Sequence, residues 1–310
     1  NDLQYPWEKI ELYQNMDVYF SVDVDGDRIS DLIGVAENNI YWLEATNGKA
    51  DSWRAIKIAE IPEGRTQGYV KAHIFPGSKP ELIFSRGKNL FYIQLPESHP
   101  EKGNWPIVRI SSDVEEEGVA AGDLDRDGDT DIVAVSADGH HIVWFENTGR
   151  NSEDWPMHVV GVSELWSDRV EVCDINNDGR LDIVSTEESR GLLINSKIYW
   201  FEAPSDSKKG RWKRHTVDTL RSVNSMSVAD MDQDGDIDIV VAEHTDQYTE
   251  NASDNLTVIY ENNNNGEKFF PKVVERGPHS SHLGARVVDL DKDGDLDIVS
   301  IGWKQYMYVH

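Results

Sequence analysis

The sequence predicts an all-β chain of repeated four-stranded antiparallel units, on three observations. A nonapeptide with acidic residues at its odd positions recurs five times. Each copy runs directly into a pair of Ile, Val or Leu residues that favours a strand. A further strand ending in aromatic residues and Glu follows at a similar distance each time. The period is about 50 residues, which accommodates four strands per unit and is the arithmetic of a β-propeller blade. No helical hydrophobic period is found along the chain.

The nonapeptide is clearest at Asp289-Leu-Asp-Lys-Asp-Gly-Asp-Leu-Asp297, Asp230-Met-Asp-Gln-Asp-Gly-Asp-Ile-Asp238 and Asp123-Leu-Asp-Arg-Asp-Gly-Asp-Thr-Asp131. It returns as Asp174-Ile-Asn-Asn-Asp-Gly-Arg-Leu-Asp182 and as Asp23-Val-Asp-Gly-Asp-Arg-Ile-Ser-Asp31, where Arg28 stands in place of the sixth-position Gly. Alternating carboxylates followed by a Gly wrap oxygen ligands around a hard cation, and Ca2+ takes about 6–8 of them. The expected ligands, at positions 1, 3, 5 and 9, are Asp23, Asp25, Asp27 and Asp31; Asp123, Asp125, Asp127 and Asp131; Asp174, Asn176, Asp178 and Asp182; Asp230, Asp232, Asp234 and Asp238; and Asp289, Asp291, Asp293 and Asp297. Four to five structural Ca2+ sites are expected. An EF-hand is excluded, because its twelfth-position Glu is replaced by Gly34, Ala134, Ser185, Val241 and Ser300.

The strands follow in order around each loop. Before it lies a strand of small and β-branched residues: Tyr19–Val22, Gly118–Gly122, Val170–Val172, Ser225–Ala229 and Ala285–Val288. After it come Leu32-Ile33, Ile132-Val133, Ile183-Val184, Ile239-Val240 and Ile298-Val299. The third strand carries Ile40–Glu44, Ile142–Glu146, Ile198–Glu202 and Val258–Glu261, whose aromatic residues are expected to fill the core between units. The fourth opens at Trp53, Trp105, Trp155, Trp212 or Phe269. Residues 65–95 fit the same register with His73, Phe75 and Gly77 at ligand positions, and so read as a unit without a metal.

The formal charge is -27, from 57 acids against 30 bases, and 22 of the acids are Asp in the five nonapeptides. The acidity is mostly cation chemistry, and what remains argues against nucleic acid or an anionic membrane as partner. No apolar run reaches the roughly 18–20 residues of a membrane span. The single cysteine, Cys173, sits in a strand context and is expected to be a buried inert thiol. A chain beginning at Asn1 without Met reads as processed. Loops of modest affinity fill where Ca2+ is abundant, which favours an extracellular or periplasmic location.

The nonapeptide set between two strands resembles the FG-GAP/VCBS repeat family, the calcium-bearing propellers found in integrin α-subunits and in some fungal lectins. The resemblance implies that the cation loop joins the innermost strand of each blade to the second. One propeller domain is then expected over 1–310, with repeats near 13–59, 65–110, 116–161, 167–218, 222–275 and 282–310. The unattached strand Trp7–Leu12, within 5–12, would complete the last of six blades, close the ring and remove the sheet edges. Seven blades would require further chain beyond His310.

Up-and-down blades place the metal loops at one end and the irregular loops at the other. The second end is expected to hold function. Its candidates for ligand binding are Arg65, Arg86, Arg221, His279 and His282, with Trp166 and Trp303 as stacking surfaces. Such a polar, aromatic-edged funnel suits a carbohydrate. The alternative is a polysaccharide lyase or sugar dehydratase acting on uronic-acid-containing glycans, with His244 as base, Tyr248 as acid and Arg190 or Arg169 clamping the carboxylate. A protein-binding ring is the third possibility. No Gly-x-Ser-x-Gly or phosphate-cradling Gly loop is present.

Overall fold

A computed structural model describes residues 15–49, 51–150, 153–190, 194–244, 255–277, 285–301 and 307–309. These form five four-stranded antiparallel sheets and one three-stranded sheet, each with its strands in chain order. Sheet one comprises β1 (Asp17–Val22), β2 (Asp31–Ala36), β3 (Asn39–Ala45) and β4 (Trp53–Glu60). Sheet two comprises β5 (Tyr69–Ala72), β6 (Glu81–Arg86), β7 (Asn89–Ile93) and β8 (Ile107–Ser111). Sheet three comprises β9 (Val114–Gly122), β10 (Asp131–Ser136), β11 (His141–Phe145) and β12 (Met157–Val162). Sheet four comprises β13 (Trp166–Cys173), β14 (Asp182–Glu188), β15 (Ser196–Glu202) and β16 (Lys213–Leu220). Sheet five comprises β17 (Val223–Ala229), β18 (Asp238–Glu243), β19 (Leu256–Asn263) and β20 (Lys268–Arg276). Sheet six comprises β21 (Arg286–Val288), β22 (Asp297–Ile301) and β23 (Met307–Val309). The sheets are those expected of propeller blades. The strand expected over Trp7–Leu12 lies outside the described residues. No helix among the described residues is long and apolar enough to cross a membrane.

The second strand of each unit explains the architecture. All six residues of β10 are buried, because side chains on both faces meet a neighbouring sheet. Ile132 and Ala134 join a cluster with Ile83, Tyr92 and Trp155, between sheets two and three. Val133 and Val135 point the other way, into a cluster with Ile183, Tyr199 and Phe201, between sheets three and four. Alternation is therefore hidden in the sequence, and the strand reads as an unbroken apolar run. Similar clusters fill the seams between sheets one and two, four and five, and five and six. Trp42, Trp144 and Trp200 are all buried in these seams, as the aromatic signature predicts. Cys173 is buried and unpaired, and burial pushes its thiol well above the usual range.

The first strands of successive sheets lie side by side, β5 on β9, β9 on β13, β13 on β17 and β17 on β21. Their approach is close enough to demand glycine. A Cβ on Gly118 would lie 2.5 Å from the Val170 nitrogen, and one on Gly68 would lie 1.6 Å from the Glu117 carbonyl oxygen.

Candidate functional site

The acidic loops join the first and second strands of their sheets. Each folds around its own first carboxylate. In the third sheet, Asp123 Oδ1 and Oδ2 accept the N–H groups of Asp127 and Gly128, both at 3.1 Å. Asp125 and Asp127 each accept an N–H two residues on, at 3.1 and 3.0 Å. The same bonds recur around Asp174, Asp230 and Asp289. Two positions are left-handed in every loop, the fourth (Arg126, φ 61°) and the sixth (Gly128, φ 97°). The first loop keeps both but moves its glycine, with Gly26 at φ 85° in position four and Arg28 at φ 72° in position six. The missing sixth-position Gly therefore does not alter the turn.

In four loops, one carboxylate oxygen from each of three acids lies within 4.8 Å of the others: Asp23, Asp25 and Asp27; Asp123, Asp125 and Asp127; Asp230, Asp232 and Asp234; and Asp289, Asp291 and Asp297. These clusters could hold metal ions. The fourth loop is weaker in charge, since Asn176 replaces an acid and the Arg180 guanidinium pairs with Asp178. The ninth residue has a role that the ligand pattern does not reveal. Asp131 accepts Leu124 N–H on Oδ2 at 3.0 Å and Asn147 N–H on Oδ1 at 2.8 Å, pinning the loop to the end of β11. Asp31, Asp182 and Asp238 repeat this pair of bonds. Glu81 in sheet two, whose loop has lost its other acids, still accepts Ile74 N–H at 3.0 Å. The pin is thus kept where the other carboxylates of the loop are missing.

The donor set fits a cation on charge grounds. Burial, with Asp125 and Asp127 adding to it, pushes the Asp131 carboxyl up to about 8, and burial pushes Asp182 up to about 7. A positive ion among these oxygens would offset both effects.

At the opposite end, the first strands slip register. Tyr19, Asp168–Arg169 and Asn224 are extra residues in β1, β13 and β17, and Glu115–Gly118 bulges from β9. Bulges re-aim side chains and are frequent beside active sites. Here they bring together a continuous chain of charges across sheets three, four and five. His244 Nδ1 lies 3.4 Å from Glu188, and Glu188 lies 3.5 Å from Arg190 Nε. Arg190 approaches Glu117 Oε1 at 3.8 Å, whose Oε2 accepts from Arg169 at 3.2 Å. Arg169 also reaches Asp168 Oδ1 at 3.6 Å and donates to Asn224 Oδ1 at 3.4 Å. Asp168 is fully buried, and neither carboxylate oxygen has a hydrogen-bond partner. Burial, with Glu117 and Glu188 nearby, drives its carboxyl well above the usual range despite Arg169. Burial works against the Arg169 charge, but Asp168 and Glu117 hold it above its ordinary value. Tyr19 of sheet one and Tyr69 of sheet two meet with ring centroids 5.2 Å apart.

Of the residues expected here, His244, Arg190 and Arg169 belong to this chain, whereas Tyr248, His279, His282 and Trp303 lie outside the described residues. Trp166 is close by, but its ring is covered by the Arg190 guanidinium at 3.6 Å and abuts Gly139 on its six-membered portion. Arg86 is buried and donates to Pro62 O, Glu37 O and Asn38 Oδ1, tying sheet two to sheet one. Arg65 is exposed beside Glu116 at 3.6 Å, and Arg221 is half-exposed, 3.9 Å from Glu243. Glu117, Asp168 and Asn224 escaped the sequence reading. The signal present was an acidic run, Glu115-Glu-Glu117, and an Asp-Arg pair inside strands that are otherwise small and apolar.

Residues 123–185 and 230–300 match the model of an FG-GAP-like repeat, so the chain carries repeats of that family. No curated protein matches the sequence. Among solved structures, the chain is similar to a lectin of Agrocybe aegerita, described for specific recognition of non-reducing terminal N-acetylglucosamine. The two are 15% identical with a TM-score of 0.53, over 84% of this chain and 66% of the lectin chain, just under two thirds of it. A Photorhabdus luminescens Tc holotoxin pore also aligns, at 14% identity and a TM-score of 0.47, over 96% of this chain and 14% of the toxin chain. The likeness to the lectin is one of fold alone.

Proposed function

We propose that this chain, which carries FG-GAP-like repeats, is a calcium-stabilised six-bladed propeller that binds carbohydrate at the face opposite its cation loops. The calcium ions would be held by the loop carboxylates and would act on the fold rather than on the ligand. The N-terminal strand would complete the last blade, and the protein would work where calcium is abundant, outside the cell or in the periplasm.

The observation that carries the binding assignment is the axial chain His244–Glu188–Arg190–Glu117–Arg169–Asp168, with Asn224 beside it. Donors and acceptors alternate along it, and tyrosine rings flank it, which is the mixture that sugar hydroxyls and sugar C–H faces require. The similarity in fold to a lectin is in keeping with this reading.

The second reading, a lyase on uronic-acid glycans, gains from the convergence of His244, Arg190 and Arg169. It loses because both arginines already face carboxylates, Glu117 and Glu188 for one and Glu117 and Asp168 for the other. A substrate carboxylate would have to displace them. A glycan array carrying neutral, amino and uronate sugars separates the two. Binding without turnover that is lost in Arg190→Ala supports the first. An unsaturated, ultraviolet-absorbing product that vanishes in His244→Ala replaces it with the second.

A further inference from the structure

The face that carries the cation loops is joined from sheet to sheet, and one seam is joined differently. In sheets four and five, the fourth residue of the loop reaches the seventh residue of the next loop. Asn177 Nδ2 donates to Asp236 Oδ1 at 2.6 Å, and Gln233 Nε2 donates to Asp295 Oδ1 at 3.1 Å. Both are amide links, and both leave the carboxylates at positions 1, 3 and 5 free. Between sheets three and four the corresponding residues are Arg126 and Arg180, two cations that cannot pair. Here the link comes from elsewhere. Lys208, in the turn between β15 and β16 of sheet four, places Nζ 2.5 Å from Asp125 Oδ2 and 2.8 Å from Glu146 Oε1. Asp125 is the third-position carboxylate of the loop in sheet three and is almost fully buried, with 5% of its side chain exposed.

The loop of sheet two provides an internal comparison. It has lost its carboxylates except Glu81, and there Lys79 Nζ crosses the seam to the Val24 carbonyl oxygen at 2.9 Å while also reaching Pro96 O of its own sheet at 2.6 Å. An ammonium on this face therefore serves as a fixed strap where no ion can be held. In sheet three the strap and an ion would need the same oxygen.

We propose that Lys208 is a built-in competitor for the cation site of sheet three, making it the weakest and most readily exchanged of the four carboxylate triads. A divalent ion enters only by displacing the ammonium from Asp125, which leaves the Lys208 turn held across the seam between sheets three and four by Glu146 alone. The other triads lack such a rival among the described residues. Arg180 in the fourth loop differs, since it pairs within its own loop and bridges no seam by that contact. The inference rests on the calcium reading of the loops.

The test uses chelator-stripped protein titrated with CaCl2 by calorimetry. Lys208→Met should tighten the weakest class of sites about tenfold, the scale of one charge-assisted bond. The gain should disappear in an Asp125→Asn background, and Lys208→Arg should restore the weak site. In the unmodified protein, acylation of Lys208 by an amine-reactive reagent, read by peptide mass spectrometry, should be slow without ions and several-fold faster at saturating Ca2+. Calcium uptake with an unchanged Lys208→Met isotherm would overturn the inference and leave the calcium reading standing. Reactivity of Lys208 that is indifferent to Ca2+ would overturn it as well. Absence of calcium uptake at every loop would overturn both.

Discussion

Truncation of Asp131 to Ala separates the two tasks given to the ninth residue. Its carboxylate accepts two N–H groups, from Leu124 at 3.0 Å and Asn147 at 2.8 Å, and all three residues are buried. Leaving a buried donor unmet costs about 1–3 kcal/mol, so the loss of both comes to roughly 2–6 kcal/mol. Glu81→Ala is the matched control in the loop without other acids. It leaves Ile74 N–H unmet, together with a long contact to Phe75 at 3.4 Å, and should cost about 1–3 kcal/mol. Urea unfolding of both variants, in CaCl2 and in chelator, reads the difference. The cost of Asp131→Ala should be larger with calcium than without it, because the ion stabilises the ionised carboxylate. The cost of Glu81→Ala should be the same in both. Equal calcium dependence for the two variants, or a cost for Asp131→Ala below about 1 kcal/mol, would refute the reasoning.

Three further outcomes are expected. In chelator, the share of stability contributed by Asp182 and Asp131 should be full below about pH 4, the unfolded carboxyl value, and should be lost as pH rises through about 7 to 8, because both bind their protons more tightly in the folded protein. Saturating calcium should flatten that slope in a pH series of unfolding midpoints. Gly118→Ala should cost about 1–3 kcal/mol in urea unfolding, since its Cβ would sit 2.5 Å from the Val170 nitrogen, whereas Gly48→Ala, with open space around it, should be neutral. Trp144→Ala should cost about 3–5 kcal/mol by the same assay, as it empties the seam between sheets three and four.

The strands and loops were legible because each is fixed by local chemistry. Asp and Gly at set spacing determine the turn, and the Ile-Val pair that follows has to be buried on both faces. Two features of the loops were not legible. The ninth Asp looked like one more ligand, and only its bonds to Leu124 and Asn147 show it fastening the loop to β11. The displaced glycine of the first loop looked like a defect, although Gly26 and Arg28 exchange the tasks of two left-handed positions. The axial chain was legible only in part. His244, Arg169 and Arg190 stood out by residue type, but their partners depend on register slips in β9, β13 and β17, and a bulge has no reliable signature in a strand of small residues. Arg86 illustrates the converse. It looked available in a turn, yet its guanidinium finds two carbonyls and an amide across the seam, a contact no local pattern encodes.

Scanning calorimetry against calcium concentration tests the central claim most directly. The melting temperature should climb with the logarithm of free Ca2+ once the loops begin to fill, and fall back when chelator is added. A melting temperature unmoved between chelator and millimolar Ca2+ would contradict it.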